Sequence, residues 1–169
     1  MTNRTEHVRL GHVHLKVRRL DRAIEFYQQT LGLQLVERVG DDFAFLSFGA
    51  AHHDLALQAL GDRAALPTPG AVGLYHVAFE VEDAATLLSR WDALQSRGRV
   101  VGVDHGISWA LYTNDPDGNG VEVYLDRRIE GSRTAWRGHS LPLERRRVEE
   151  AAASELKTPT IEHIPSGGF

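Results

Sequence analysis

The chain repeats itself. Gly11-His12-Val13-His14-Leu15-Lys16-Val17 alternates small or apolar with polar side chains, and Leu74-Tyr75-His76-Val77-Ala78-Phe79-Glu80-Val81 does so again. Aligning His14 with His76 also sets Asp21 on Asp83, Ala23 on Ala85 and Leu31 near Leu94, at an offset of 62 residues. A chain built this way folds as two similar units, and each must find a partner for its apolar surface.

Each unit spells the same order of elements. In the first, a strand over 11–17 leads to a helix with Asp21 as N-cap, apolar residues at 23, 24, 27 and 31, and Gly32 as the stop. Three strands follow, Leu33 to Arg38, Phe43 to Phe48 and Asp54 to Leu60. After a loop with Pro67, Pro69 and Gly70, the second unit predicts a helix from Ala84 to Ser96 that stops near Gly98. Its strands are Val100 to Val103, Ser108 to Asn114 and Gly120 to Leu125. Asp115-Pro116-Asp117-Gly118-Asn119 turns the last strand pair. The expectation is an α+β fold of two tandem βαβββ modules, about 8–62 and 72–128, forming a curved mixed sheet around a metal site. One such unit leaves a sheet face bare, so two must pack or join edge to edge, within the chain or between chains. Histidines 62 residues apart then have a reason to meet. Residues 129–169 break the pattern as a C-terminal extension. A helix fits Leu143 to Leu156, Thr158-Pro159 ends it, and Pro165 to Gly168 reads as a loose tail.

Composition narrows the chemistry. Nineteen Lys and Arg against 23 Asp and Glu give a formal charge of −4, and the one basic run is Arg145-Arg146-Arg147, which argues against a nucleic-acid partner. No apolar run approaches the roughly 18 residues of a membrane span, and the polar N-terminus reads as that of a cytoplasmic, soluble protein. A chain of 169 residues buries about two thirds of its unfolded surface and needs no metal to fold. Any metal is therefore expected to serve chemistry. With no cysteine, its ligands must be His, Asp or Glu. Nine histidines, at 7, 12, 14, 52, 53, 76, 105, 139 and 163, supply candidates.

His14, His76 and Glu122 each interrupt an apolar strand pattern, Val13-His14-Leu15, Tyr75-His76-Val77 and Val121-Glu122-Val123. Singly, each also fits a structural or solvent-facing residue. At corresponding places in a repeat they become a candidate set: two imidazoles and a carboxylate on one face of a divalent ion leave positions open, as in non-haem Fe(II) oxygenases. Zinc, nickel or manganese accept the same ligands. His12 shares the strand face of His14. His14 is preferred because its spacing to Asp21 equals that of His76 to Asp83.

These residues resemble the vicinal oxygen chelate superfamily, and within it the type I extradiol catechol dioxygenases in a single module-pair form. The likeness runs over about 8–128. It rests on His14-Leu15-Lys16-Val17, Asp21-Arg22-Ala23, Phe26-Tyr27, Leu31-Gly32 and Leu74-Tyr75-His76, and most of all on Tyr112 through Tyr124. The resemblance implies His14, His76 and Glu122 as ligands of Fe(II), with Mn(II) possible, in a metal site enclosed by the sheet. His53-Asp54-Leu55-Ala56-Leu57 resembles the segment whose histidine is the acid-base catalyst. His105-Gly106-Ile107-Ser108 resembles the segment with a second active-site histidine, and Tyr112 holds the place of the active-site tyrosine. The implied reaction is extradiol ring cleavage of a catechol-type diol with O2, and the implied assembly is a homodimer.

Other readings stay open at this point. His52-His53 also fits a surface pair, His105 a turn and Tyr112 a core residue. Trp109, Phe45, Phe48 and Phe79 fit an aromatic pocket or the core equally well. On the same fold, an oxygen-independent metal lyase or isomerase of the glyoxalase type is the first rival. A metal-free small-molecule-binding resistance protein is the second. Larger extradiol enzymes carry two module pairs and this chain one, so the extension is expected to close the pocket or touch a partner.

Overall fold

A computed structural model of the chain describes residues 9–68, 70–128, 135–136, 138 and 140–156. The first module runs β1 (Val13–Val17), α1 (Leu20–Leu31), β2 (Gln34–Val39), β3 (Phe43–Ser47) and β4 (Leu55–Ala59). The second runs β5 (Val77–Val81), α2 (Ala84–Gln95), β6 (Val101–Asp104), β7 (Ser108–Asn114) and β8 (Gly120–Asp126), and β9 (Leu141–Pro142) and α3 (Arg145–Glu155) follow. The loose tail expected from Pro165 lies outside the described residues.

The strands form two mixed sheets, β1-β4-β3-β2 and β5-β8-β7-β6-β9. In each, the first and last strands of the module are parallel neighbours, β1 with β4 and β5 with β8, and the other pairs are antiparallel. Parallel neighbours require a crossover, and the helix provides it on the face it covers. Alternation sorts the side chains. Leu15 and Val17 of β1 turn into the core beneath α1, where Leu20, Ala23, Ile24, Tyr27 and Leu31 meet them, while His14 and Lys16 face out on the other side. In β8, Val121, Val123 and Leu125 are buried on the core side. Glu122 points to the opposite face, the one that carries the candidate chemistry.

Helix boundaries differ by small steps from the sequence expectation. The N-cap of α1 is Arg19 without a side-chain cap, and Asp21 sits in the first turn with its carboxylate on Arg38 Nη1 at 2.6 Å. Asp83 does cap α2, accepting from Thr86 N at 2.7 Å. Gly32 ends α1 at φ 80°, a left-handed conformation that favours glycine.

The Asp115–Asn119 turn ties the two modules together. Asp115 Oδ1 accepts from the backbone of Asp117 and Asn119, and Oδ2 accepts from the Tyr27 hydroxyl of α1 at 3.1 Å. Asn119 Nδ2 donates to the Lys16 carbonyl of β1 at 3.1 Å. Burial and the nearby Asp115 carboxylate hold the Tyr27 phenol well above its ordinary pKa.

The extension closes the far edge of the second sheet. β9 pairs with β6, Val148 and Ala152 of α3 are buried, and Glu155 accepts from Ala84 N at the start of α2. Gly102 permits this approach: a Cβ there would meet the Trp91 ring at 2.6 Å and the Leu143 carbonyl at 2.7 Å.

Candidate active site

The second module gathers four of the six candidate residues into one line of close polar contacts. Glu122 lies on β8 between β5 and β7, with Ala78 as its parallel partner and Tyr112 opposite it on β7. This central position leaves the carboxylate residue only 8% exposed. His76, just before β5, brings Nε2 to 2.7 Å from Glu122 Oε2. The Tyr112 hydroxyl donates to Glu122 Oε1 at 2.9 Å, and His105 Nε2 lies 3.0 Å from that hydroxyl. Burial, and then the Glu122 hydrogen bond and charge, push the Tyr112 phenol far above its ordinary pKa. Tyr112 therefore keeps its proton and works as a donor.

The first module carries the other two on its own sheet. His14 is exposed on β1, with Phe43 edge-on at 6.1 Å between centroids. His53 stands before β4, packed 4.4 Å from the His12 ring and 5.0 Å from Phe45, and its Nδ1 is 2.9 Å from Nδ1 of His52. The loop that presents it is drawn in by Asp54, whose Oδ2 accepts from Ser47 Oγ and Phe48 N. Desolvation lowers the His53 pKa, the neighbouring His12 and His52 lower it further, and Asp54 opposes them. His53 is thus an imidazole kept neutral at pH 7, the form that accepts a proton.

These two groups lie on separate sheets, and among the described residues no three His, Asp or Glu side chains come together to hold a metal. His76 Nε2 and Glu122 Oε2 do lie 2.7 Å apart, and the remaining ring nitrogen of His76 is buried without a hydrogen-bond partner. One imidazole nitrogen and one carboxylate oxygen suit a divalent transition ion and need at least one further ligand. Beside this pair opens a cavity of about 460 Å³ lined by Tyr75, His76, Arg99, Val101, Tyr112 and Asn114. That volume suits a small aromatic molecule.

The aromatic candidates divide. Trp109 is buried in the core, with the Arg127 guanidinium 4.1 Å above its ring, whereas Phe48 is half exposed and meets Phe79 at 6.0 Å. Two neighbours of His105 escaped the sequence reading, Ser140 and Trp136. Both belong to the extension, where no periodicity points at them.

The model of the Glyoxalase/Bleomycin resistance protein/Dioxygenase superfamily matches residues 9–123, and the chain belongs to that superfamily. It is 34% identical over 137 residues to catechol-2,3-dioxygenase of Bacillus subtilis (strain 168), covering 80% of this chain and 46% of that one. It is 35% identical over 122 residues to biphenyl-2,3-diol 1,2-dioxygenase 2 of Rhodococcus globerulus, covering 70% and 63%. The chain thus spans about half to under two thirds of these relatives. A lactoylglutathione lyase of Neisseria meningitidis is 30% identical over 128 residues, covering 68% and 88%. A glyoxylase/bleomycin resistance protein/dioxygenase domain from Frankia sp. EAN1pec shares the fold, with TM-score 0.63 at 24% identity over 72% of this chain and 99% of that one. No helix among the described residues is long and apolar enough to cross a membrane.

Proposed function

We propose that this chain is an Fe(II)-dependent extradiol dioxygenase acting on a catechol-type diol with O2. The observation that carries the reading is the line from His105 through Tyr112 to Glu122 and His76, which adds hydrogen-bonding groups to a candidate metal pair beside a cavity of aromatic size. The likeness to catechol and biphenyl-diol dioxygenases supports it. His14, His76 and Glu122 would hold the metal. When bound, Fe(II) supplies Lewis acidity toward the diol and redox chemistry toward O2.

The protein's own groups would do the rest. His53, neutral at pH 7, takes the proton of a diol hydroxyl at its free ring nitrogen and returns it later. Tyr112 and His105 would hold the Glu122 carboxylate in place, the remaining lone pair of the Tyr112 hydroxyl would accept from a diol hydroxyl, and Tyr75 and Val101 line the cavity beside them.

Completing the site requires the His14 and His53 face of one module to meet the His76 and Glu122 face of another. Those faces lie on separate sheets of the chain, and among the described residues no three His, Asp or Glu side chains come together, which supports a homodimer whose second copy would supply the missing half. Mixing inactive His14→Ala and His76→Ala chains then restores activity toward about a quarter of wild type, because half the mixed dimers' sites are intact. No restoration from two folded, exchanging variants would place all three ligands in one chain.

A second reading, an oxygen-independent metal lyase or isomerase, is favoured by the lactoylglutathione lyase likeness. Anaerobic Fe(II) loading followed by a panel of catechols separates the two: a yellow ring-opened product on admitting air supports the dioxygenase, and its absence with iron bound supports the lyase.

A further inference from the structure

The extension carries a residue that reaches the candidate site. β9 runs antiparallel to β6 with Val103 opposite Pro142 and Asp104 opposite Leu141, so the next pair in that register is His105 with Ser140. Their side chains meet, with Ser140 Oγ 3.2 Å from His105 Nδ1. Register, not chance, brings them together.

The direction of each bond follows from proton counting. Tyr112 has one hydroxyl proton and directs it to Glu122 Oε1. Its oxygen must then accept from His105 Nε2, which carries a hydrogen. A neutral imidazole protonated at Nε2 has a bare acceptor at Nδ1, and the hydroxyl that faces it is Ser140's. We propose that Ser140 is a positioning residue: its hydroxyl donates to His105 Nδ1, orients the ring in its Nε2–H form and completes an unbroken line of donors, Ser140 to His105 to Tyr112, aimed at the Glu122 carboxylate.

The surroundings hold both partners in place. Leu143 N donates to the Gly102 carbonyl and continues the β6–β9 register. Arg147 Nη1 donates to Asp104 Oδ2 at 2.8 Å, and Asp104 Oδ1 accepts from Gly106 N at 2.8 Å, so α3 and the 104–106 turn are fixed to each other on either side of His105. Trp136 sets its ring edge-on to His105 at 6.1 Å. The superfamily match ends at residue 123, so this support comes from outside the matched region.

The hydrogen bond stands independently of the reaction; its catalytic consequence rests on the dioxygenase reading. The deciding experiment is histidine 15N NMR of the metal-free full chain at about pH 8, where an ordinary histidine is neutral, with His105 assigned by comparison with His105→Asn. Wild type is expected to show a hydrogen on Nε2 and a hydrogen-bonded Nδ1. Ser140→Ala is expected to move the Nδ1 resonance to that of a free acceptor without changing the melting temperature, and Ser140→Thr to restore it. A hydrogen on Nδ1 in wild type, or an Nδ1 resonance that Ser140→Ala leaves unmoved, would overturn the proposal. In turnover, Ser140→Ala is expected to lower kcat between about two- and tenfold at unchanged KM, with rescue by Ser140→Thr. An inactive wild type would refute the dioxygenase reading while the NMR still decides the hydrogen bond.

Discussion

Tyr112 and Glu122 are direct partners across the β7–β8 ladder, and the phenol of one donates to the carboxylate of the other at 2.9 Å. One hydroxyl thereby serves two residues, since the same oxygen receives His105. Tyr112→Phe removes both bonds and keeps the ring. The expected result is Fe(II) still bound at one per site and a kcat lowered about 10- to 100-fold, the range for groups that orient a metal's ligands. Iron analysis and turnover on one sample check both halves.

His53 titrates below an ordinary histidine, first because it is desolvated and next because His12 and His52 repel a proton on it. The unfolded chain therefore holds the proton more tightly than the folded one. Stability contributed here is full above the unfolded value near about 6.5 and falls as pH drops from there toward the lower folded value. His12→Ala removes one repelling neighbour and is expected to raise the His53 midpoint without bringing it fully to the ordinary value, because desolvation persists. An NMR titration of the metal-free protein reads this directly; a midpoint that falls in His12→Ala would contradict it.

Asp115 is the knot between modules, accepting from Tyr27, Asp117 and Asn119. Asp115→Ala leaves those donors unpaired in a buried place and is expected to destabilise the fold by about 2–4 kcal/mol in urea unfolding. Tyr27→Phe removes one of these bonds and is expected to cost about 1 kcal/mol.

Gly102→Ala puts a methyl group against Trp91 and the Leu143 carbonyl. The backbone on one side and a packed indole on the other leave no room. A loss of about 1–3 kcal/mol is expected, with faster hydrogen exchange at Leu143 N than at the β7–β8 amides as the sign that the extension has loosened.

Much of this architecture can be read from the residues alone, for definite reasons. The 62-residue offset forecasts two equal modules, and period-two burial around Leu15 and Val17 or Val121 and Val123 separates the core face from the face with His14 and Glu122. Tyr112 opposite Glu122 follows from a hairpin whose turn is Asp115–Asn119. What periodicity cannot supply is how two repeated faces meet: His14 and His76 match in the repeat, yet the described chain sets them on different sheets. β9 is equally invisible, being two residues long, one of them Pro142, and lying where Gly102 lets the chain approach. Ser140 has no sequence signal, since its value comes from a register set by that strand.

Oxygen uptake by the Fe(II)-loaded protein, measured together with ring-opened product across a set of catechols, tests the central claim most directly. The account predicts consumption of one O2 for each diol cleaved, abolished in His76→Ala and Glu122→Gln. Full occupancy by Fe(II) with no oxygen consumed on any diol of the set would contradict it.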